Sequence, residues 1–304
     1  MSAGAPRPAT EAPLAREVFG VVFQNPVLLA AGTAGMGLEV ERVTDLEALG
    51  GLVTKSVSVE PRAGNPAPRV ADAPGAMLNS VGLANPGLEV FRSEILPRLA
   101  TRIHRARILV SVVGRTVDDF VTVVRSLADA PGIVAFELNV SCPNVAAGGV
   151  EFGADADVLA ELVRRTRDAT SRPLVVKLSP AVAEPARLAV RAAEAGADGF
   201  TAINTLPALL FENGSAAPRL GNGTGGLSGP PLLPVGVRIT RLVSQATGRP
   251  VIGTGGIRTA RDAMQYLVAG ASLVGVGTAA LADPRVPERI ARDLAPLLRA
   301  NGGG

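Results

Sequence analysis

Eight short runs rich in Val, Ile and Leu recur along the chain. They fall at Val27–Ala31, Leu52–Lys55, Ile108–Val112, Ile133–Val140, Leu174–Leu178, Gly199–Ile203, Pro250–Gly253 and Leu273–Val276. Runs of this length, apolar nearly throughout, suit strands buried on both faces of a parallel sheet. Helix-like stretches separate them. In T-A-R-D-A-M-Q-Y-L-V-A-G, apolar Ala260, Ala263, Met264, Leu267 and Val268 follow the helical period. Pro185 stands where a first helical turn tolerates it. The stretches L-G-G-L (49–52), A-G-A-D-G (195–199) and A-G-A-S-L (269–273) each put glycine between a helix and a strand, where it can adopt a left-handed cap. Eight such units in about 280 residues predict an α/β fold of the (β/α)8 TIM-barrel type.

The competing architecture is a doubly wound open sheet, which wants a glycine-rich fingerprint near its start. Two G-x-G-x-x-[GA] matches occur, at Gly221–Gly226 and from Gly275. The first has no strand before it, and the second comes too late to open a dinucleotide fold. The second instead pairs with G-T-G-G-I (253–257), placing glycine-rich turns after apparent strands seven and eight. Barrels commonly bind phosphate there through backbone N–H groups.

Composition narrows the function classes. No apolar run reaches the ~18–20 residues of a membrane span, and the N-terminus lacks the apolar core of a signal peptide. Residues 1–15 read as a flexible tail, and 16–300 as one barrel domain with an N-terminal extension and active-site loop insertions. The final N-G-G-G reads as a second short tail. A single cysteine forms no internal disulfide, so a cytoplasmic location is expected. The net charge is only +3, the arginines are scattered and aromatics make up 3%, which argues against nucleic acid.

A barrel enzyme works at the C-terminal ends of its strands. Those ends carry Gly32 and Thr33, Lys55 and Ser56, Ser111, Asn139, Lys177, Asn204 and Thr205, then Gly255, Gly256, Gly277 and Thr278. Of 30 Lys and Arg residues only Lys55 and Lys177 are lysines, and both fall on this rim. The sole histidine, His104, precedes strand three and reads as a surface residue, so histidine triads and metal hydrolysis are poorly supported. No residue is assigned to a metal. Glu137 lies inside strand four and reads as a structural acid. Cys142 remains as the proton-transfer candidate, beyond a strand and followed by Pro143. A thiol's reference pKa of about 8.5 allows either base or nucleophile, and the thiol alone does not separate the two.

These residues sit in a pattern that resembles the class 1 dihydroorotate dehydrogenases. N-V-S-C-P-N (139–144) with G-G-V-E-F-G (148–153) is similar to that family's active-site loop. E-P-R-A-G-N-P-A-P-R (60–69) and M-L-N-S-V-G-L-A-N-P-G (77–87) resemble the NAD-linked class 1B form. V-K-L-S-P, A-I-N-T, G-G-L-S-G-P and G-T-G-G-I follow in family order, and the likeness runs from about Asn25 to Thr278. Two departures stand out: Ala31 where serine is frequent, and Ser111 where asparagine is expected.

The resemblance implies FMN, one per chain, and oxidation of dihydroorotate to orotate in pyrimidine synthesis. It implies that Cys142 takes the C5 proton while flavin N5 accepts the C6 hydride. It assigns Ala31, Gly32, Lys55, Ser56, Ser111, Asn139, Lys177, Ile203, Gly229, Gly255, Gly256, Gly277 and Thr278 to the cofactor. It assigns Lys55, Asn79, Ser80, Val81, Gly82, Leu83, Asn139, Asn144, Asn204 and Thr205 to the substrate. A partner subunit carrying FAD and a 2Fe–2S cluster would pass electrons to NAD, around a homodimer core of a heterotetramer. Neighbouring readings are a dihydropyrimidine dehydrogenase-like flavoprotein acting on uracil or thymine, and a fumarate-using class 1A enzyme. A non-catalytic phosphate-binding barrel or scaffold is the reading from a different class.

Overall fold

Alternation of side chains along each strand decides how this chain closes. In the computed structural model, which describes residues 14–141 and 151–301, the strands are β1 (Arg16–Val18), β2 (Val21–Phe23), β3 (Val27–Leu29), β4 (Gly51–Val53), β5 (Val70–Ala73), β6 (Ala76–Asn79), β7 (Arg107–Val112), β8 (Ile133–Asn139), β9 (Leu174–Leu178), β10 (Gly199–Ala202), β11 (Leu206–Ala208), β12 (Gly225–Ser228), β13 (Val251–Thr254) and β14 (Leu273–Val276). The helices are α1 (Leu88–Val90), α2 (Leu96–Ala100), α3 (Val117–Leu127), α4 (Ala156–Arg167), α5 (Pro185–Glu194), α6 (Leu233–Thr247), α7 (Ala260–Val268), α8 (Thr278–Ala282) and α9 (Val286–Asn301).

Eight strands close in the order β10-β13-β14-β3-β4-β7-β8-β9. Their ladders are all parallel. This is the predicted (β/α)8 barrel, and the eight barrel strands overlap the eight runs read from the sequence. Alternate residues separate into two apolar clusters. Val27, Leu29, Leu52, Ile108, Val110, Leu174, Val176, Val251 and Val274 belong to the larger one, with residues of the surrounding helices. Leu28, Val53, Leu109, Ala135, Val175, Ile252 and Leu273 face the barrel interior and pack with Val18 and Phe23 of the β1–β2 hairpin. The hairpin is the N-terminal extension, and it plugs the bottom of the barrel. Strand β10 contributes Gly199 at that level. A Cβ there would lie 2.8 Å from the Phe19 ring, so the glycine makes room for the plug.

The helix exits behave as expected at two of the three glycine stretches. After α5, Ala197 N–H donates to Ala192 O and Gly196 N–H to Ala193 O, with Gly196 at φ +110°. After α7, Ala271 N–H donates to Tyr266 O and Gly270 N–H to Leu267 O, with Gly270 at φ +105°. Both are Schellman caps. The stretch 49–52 departs from this. Gly50 is not at positive φ; it is needed because a Cβ would strike the Asn25 carbonyl. The preceding segment is also not an α-helix. Gly32, Gly35 and Gly37 all take positive φ, and that run breaks a helix into turns and a short 3-10 segment at Leu46–Ala48.

The predicted apolar stripe of α7 is shifted as well. Val268 is 72% exposed, while Tyr266 is fully buried. The phenol packs inward because its hydroxyl finds carbonyl partners at the end of β13. The Gly221–Gly226 match does not lie wholly in a loop, since Gly225 and Gly226 open β12. The inserted segments form a four-stranded antiparallel sheet, β11-β12-β6-β5, beside the C-terminal ends of the barrel strands. No helix of the described residues is long and apolar enough to cross a membrane.

Candidate active site

One alternation step above the apolar plug, the inward positions change character. Leu28 is followed by Ala30, Val53 by Lys55, Leu109 by Ser111, Ala135 by Glu137, Val175 by Lys177, Gly199 by Thr201, Ile252 by Thr254 and Leu273 by Gly275. The barrel thus carries a charged and polar layer directly over a dry one. Glu137 is 1% exposed and Lys177 8%. Glu137 Oε2 accepts a 2.8 Å hydrogen bond from Thr201 Oγ1, and its Oε1 lies 3.8 Å from Lys177 Nζ. That second separation makes an ion pair but is too long for a hydrogen bond, so Oε1 has no hydrogen-bond partner among the described residues.

Lys55 enters the layer from the end of β4, with its ammonium beneath Gly32. A Cβ at Gly32 would lie 3.7 Å from Nζ. Burial pushes the Lys55 pKa below its ordinary 10.5, and the like charge of Lys177 lowers it further. The unfolded chain therefore holds this proton more tightly than the folded one. The resulting cost to stability is relieved as pH rises from the folded value towards 10.5. Lys177→Met is expected to raise the Lys55 pKa by removing the second cause and leaving the first. NMR titration reads this directly, because Lys55 is then the only lysine in the chain. An unchanged titration would show that Lys55 does not feel Lys177.

At the rim, Ser56 Oγ and Ser111 Oγ are 2.9 Å apart, and Asn139 Nδ2 donates to Ser56 Oγ at 3.3 Å. The serine that stands where asparagine was expected is thus held by a second serine. Asn139 Oδ1 and Ser141 Oγ are buried with no partner among the described residues. Glu137 and Asn139 alternate along β8 and Ser141 follows two residues beyond Asn139, so three side-chain oxygens without a hydrogen-bond partner among the described residues follow one another at every second position, Glu137 Oε1 keeping its ion pair with Lys177. Cys142 and Asn144 lie outside the described residues.

The inserted segments bring the remaining substrate candidates together. Arg62 and Asn85 exchange backbone hydrogen bonds, and Asn65 N–H donates to Val81 O. Asn65 Nδ2 donates to Ser80 Oγ at 2.8 Å. A Cβ on Gly82, at φ +71°, would strike the backbone of Asn65, and Leu83 follows at φ +58°. Residues 60–69 therefore brace 79–85 from behind. Asn79 pairs with Gly226 across β6 and β12 and donates to its carbonyl at 3.3 Å. Thr205 lies against the same glycine, and Asn204 Oδ1 accepts from Thr205 N–H.

The glycine turns form the other end of the site. Gly255 and Gly256 take φ +119° and +74°. A Cβ on Gly255 would lie 3.5 Å from Ile203 and 3.6 Å from Leu232, and one on Gly256 would lie 2.7 Å from Leu233 N. Gly229, at φ +104°, turns the chain into the segment that starts α6. Gly277 sits beside Ala30 and Thr33, and Thr278 begins α8. Ala31, half-buried, and Gly32 close the ring at the end of β3. The N–H groups of Gly255, Gly256 and Gly277 donate to no backbone carbonyl among the described residues. Unpaired amides in glycine turns at strands seven and eight fit a phosphate.

Sequence reasoning missed the contribution of Thr254 and Tyr266. Thr254 Oγ1 donates to Gly275 O at 2.8 Å and ties the two glycine turns together. The only sequence signal for the second was that the chain's single tyrosine lies in a helix just after G-T-G-G-I. His104 is exposed, as expected. No cluster of metal-ligating side chains occurs among the described residues.

Fold and rim together define an α/β-barrel enzyme whose mouth carries two lysines over a buried carboxylate and a glycine cradle at strands seven and eight. The dihydroorotate dehydrogenase family model matches residues 13–298. The chain is 46% identical over 285 residues to the dihydroorotate dehydrogenase B (NAD(+)) catalytic subunit of Desulforudis audaxviator, covering 94% of this chain and 92% of that one. It is 45% identical over 291 residues to the protein of the same name from Geobacillus kaustophilus, covering 96% and 92%. It is also 46% identical over 289 residues to a putative dihydroorotate dehydrogenase A (fumarate) of Solibacter usitatus, covering 95% and 94%. The chain belongs to the dihydroorotate dehydrogenase family, and it is an oxidoreductase.

Proposed function

We propose that this protein oxidises dihydroorotate to orotate in pyrimidine biosynthesis, with FMN in the barrel mouth and Cys142 as the base that removes the C5 proton. The observation that carries the reading is the polar layer itself: Lys55 and Lys177 over an apolar plug, with Asn139 Oδ1 and Ser141 Oγ buried and without a hydrogen-bond partner among the described residues. The amide oxygen accepts and the hydroxyl both donates and accepts, so a flavin or a diamide-like ring can satisfy them. The glycine turns would hold the phosphate, with Gly229, Ile203, Ala31 and Gly32 packing around the cofactor. Ser56, Ser111, Asn139 and Lys177 would meet its polar edge. When bound, FMN supplies the two-electron acceptor for the C6 hydride.

The chain's own residues do the rest. Lys177 holds a fixed positive charge beside the buried Glu137, directly above the apolar plug. Lys55 meets the anionic substrate, whose carboxylate favours the charged ammonium that burial disfavours. Asn79, Asn139, Asn144, Asn204 and Thr205, with the braced segment Ser80, Val81, Gly82 and Leu83, orient the ring so that C5 faces the thiolate. Cys142 Sγ takes the proton.

For the electron route we favour a partner subunit that carries FAD and a 2Fe–2S cluster and delivers to NAD, around a homodimer of this chain. The NAD-linked names of two relatives support this route. The equally similar relative named for fumarate supports the alternative. The test is purification followed by substrate-driven reduction. A yellow protein with one FMN per chain, bleached by dihydroorotate and not made to turn over uracil, is expected. Reoxidation by fumarate without a partner would move the assignment to the fumarate-using class. A colourless chain that takes up no FMN would overturn the reading.

A further inference from the structure

Tyr266 is the chain's only tyrosine and is fully buried on α7. Its ring fills space left by two glycines, because a Cβ at Gly236 or at Gly253 would strike it. Its hydroxyl reaches two carbonyls at the end of β13, Gly255 O at 2.6 Å and Thr254 O at 3.0 Å. Thr254 O already accepts from Ile203 N–H at 3.0 Å. Gly255 O has no other donor among the described residues. The single phenolic hydrogen therefore belongs to the shorter contact. Burial raises the phenol's pKa, so the group remains a donor throughout the working range.

The Gly255 carbonyl shares a planar trans peptide with the Gly256 N–H, and in such a unit the two groups point in opposite directions. Drawing the carbonyl back towards α7 turns the Gly256 N–H the other way, out of the turn. We propose that Tyr266 is a positioning residue for the phosphate end of the cofactor, which it serves by holding the Gly255 carbonyl so that the Gly256 N–H faces the anion. This inference rests on the reading of the glycine turns as the FMN phosphate cradle. Tyr266 does not touch the ligand. It acts through one peptide plane, and the same hub links the ends of β10, β13 and β14 through Ile203 N–H, Thr254 O and Thr254 Oγ1.

The test separates phosphate recognition from general stability. Deflavinated full-length chain is titrated with FMN and, separately, with riboflavin, which lacks the phosphate, and flavin fluorescence quenching is followed. Wild-type protein should prefer FMN. Tyr266→Phe keeps the ring and removes the hydroxyl. It should weaken FMN binding about tenfold, as the loss of a buried hydrogen bond implies, and leave riboflavin affinity within about twofold. Equal weakening of both ligands, or of neither, would overturn the proposal and leave the cradle intact. A wild-type chain with no preference for FMN would overturn the cradle reading and this proposal with it. If Tyr266→Phe does not fold, the wild-type Gly256 amide resonance gives the answer. It should shift with FMN and stay in place with riboflavin, and the absence of an FMN shift sinks the proposal.

Discussion

Cys142→Ala is expected to slow dihydroorotate oxidation by roughly 10²–10⁴-fold, the contribution of a positioned general base, with the flavin still bound. The expectation follows from how few groups could take the C5 proton. The chain has one cysteine and one histidine, and His104 is exposed and bonded through its backbone to Glu47, away from the strand ends. The acid at the centre of the barrel, Glu137, is already engaged by Thr201 and Lys177. The lysines are needed as charges. A thiol's reference pKa of about 8.5 lies close enough to neutrality for a useful thiolate fraction. Serine at 142 keeps a hydroxyl but ionises far less readily, so Cys142→Ser should recover rate only as pH rises. Stopped-flow bleaching of the flavin by dihydroorotate reads the step directly. An alanine variant that bleaches at the wild-type rate would remove Cys142 from the mechanism.

Glu137→Gln is the second large effect, and it falls on stability. The amide keeps an oxygen for the Thr201 hydroxyl but removes the charge opposite Lys177. Breaking a buried pair by neutralising one partner costs about 3–5 kcal/mol, because the other charge stays buried without compensation. The 3.8 Å separation argues for the lower end. At the 2–4 °C per kcal/mol of large domains, about 3 kcal/mol lowers Tm by roughly 6–12 °C. Adding Lys177→Met to Glu137→Gln should restore much of the loss, since the stranded charge is then gone. Thermal unfolding of the two single variants and the double variant measures the coupling. Additive losses would mean that the two groups do not sense each other.

How much of this could be read from the chain differs from element to element. The eight barrel strands were legible because parallel strands covered on both faces are apolar at nearly every position. The exits after α5 and α7 were legible because A-G-A supplies the one residue that a Schellman cap needs. The segment after β3 was misjudged, since three glycines at positive φ override the helical expectation there. Val268 was misjudged because periodicity cannot see that a tyrosine two residues earlier has carbonyls to reach. The antiparallel sheet of β5, β6, β11 and β12 was not legible as a sheet, because its strands are short and come from segments more than 100 residues apart.

The sequence by itself determined the barrel, the position of both lysines at strand ends on its rim, and the family. Each of these depends on residue type and local spacing, which a linear reading contains. Only the tertiary structure decided that Glu137, Lys177 and Thr201 form one buried network, that residues 60–69 brace 79–85, and that Tyr266 stands behind the Gly255–Gly256 turn. The first depends on the barrel register, which sets β8, β9 and β10 side by side, and the other two on how an inserted loop folds on itself and how α7 packs back on the turn before it. No local pattern along the chain encodes which inward side chain will meet which.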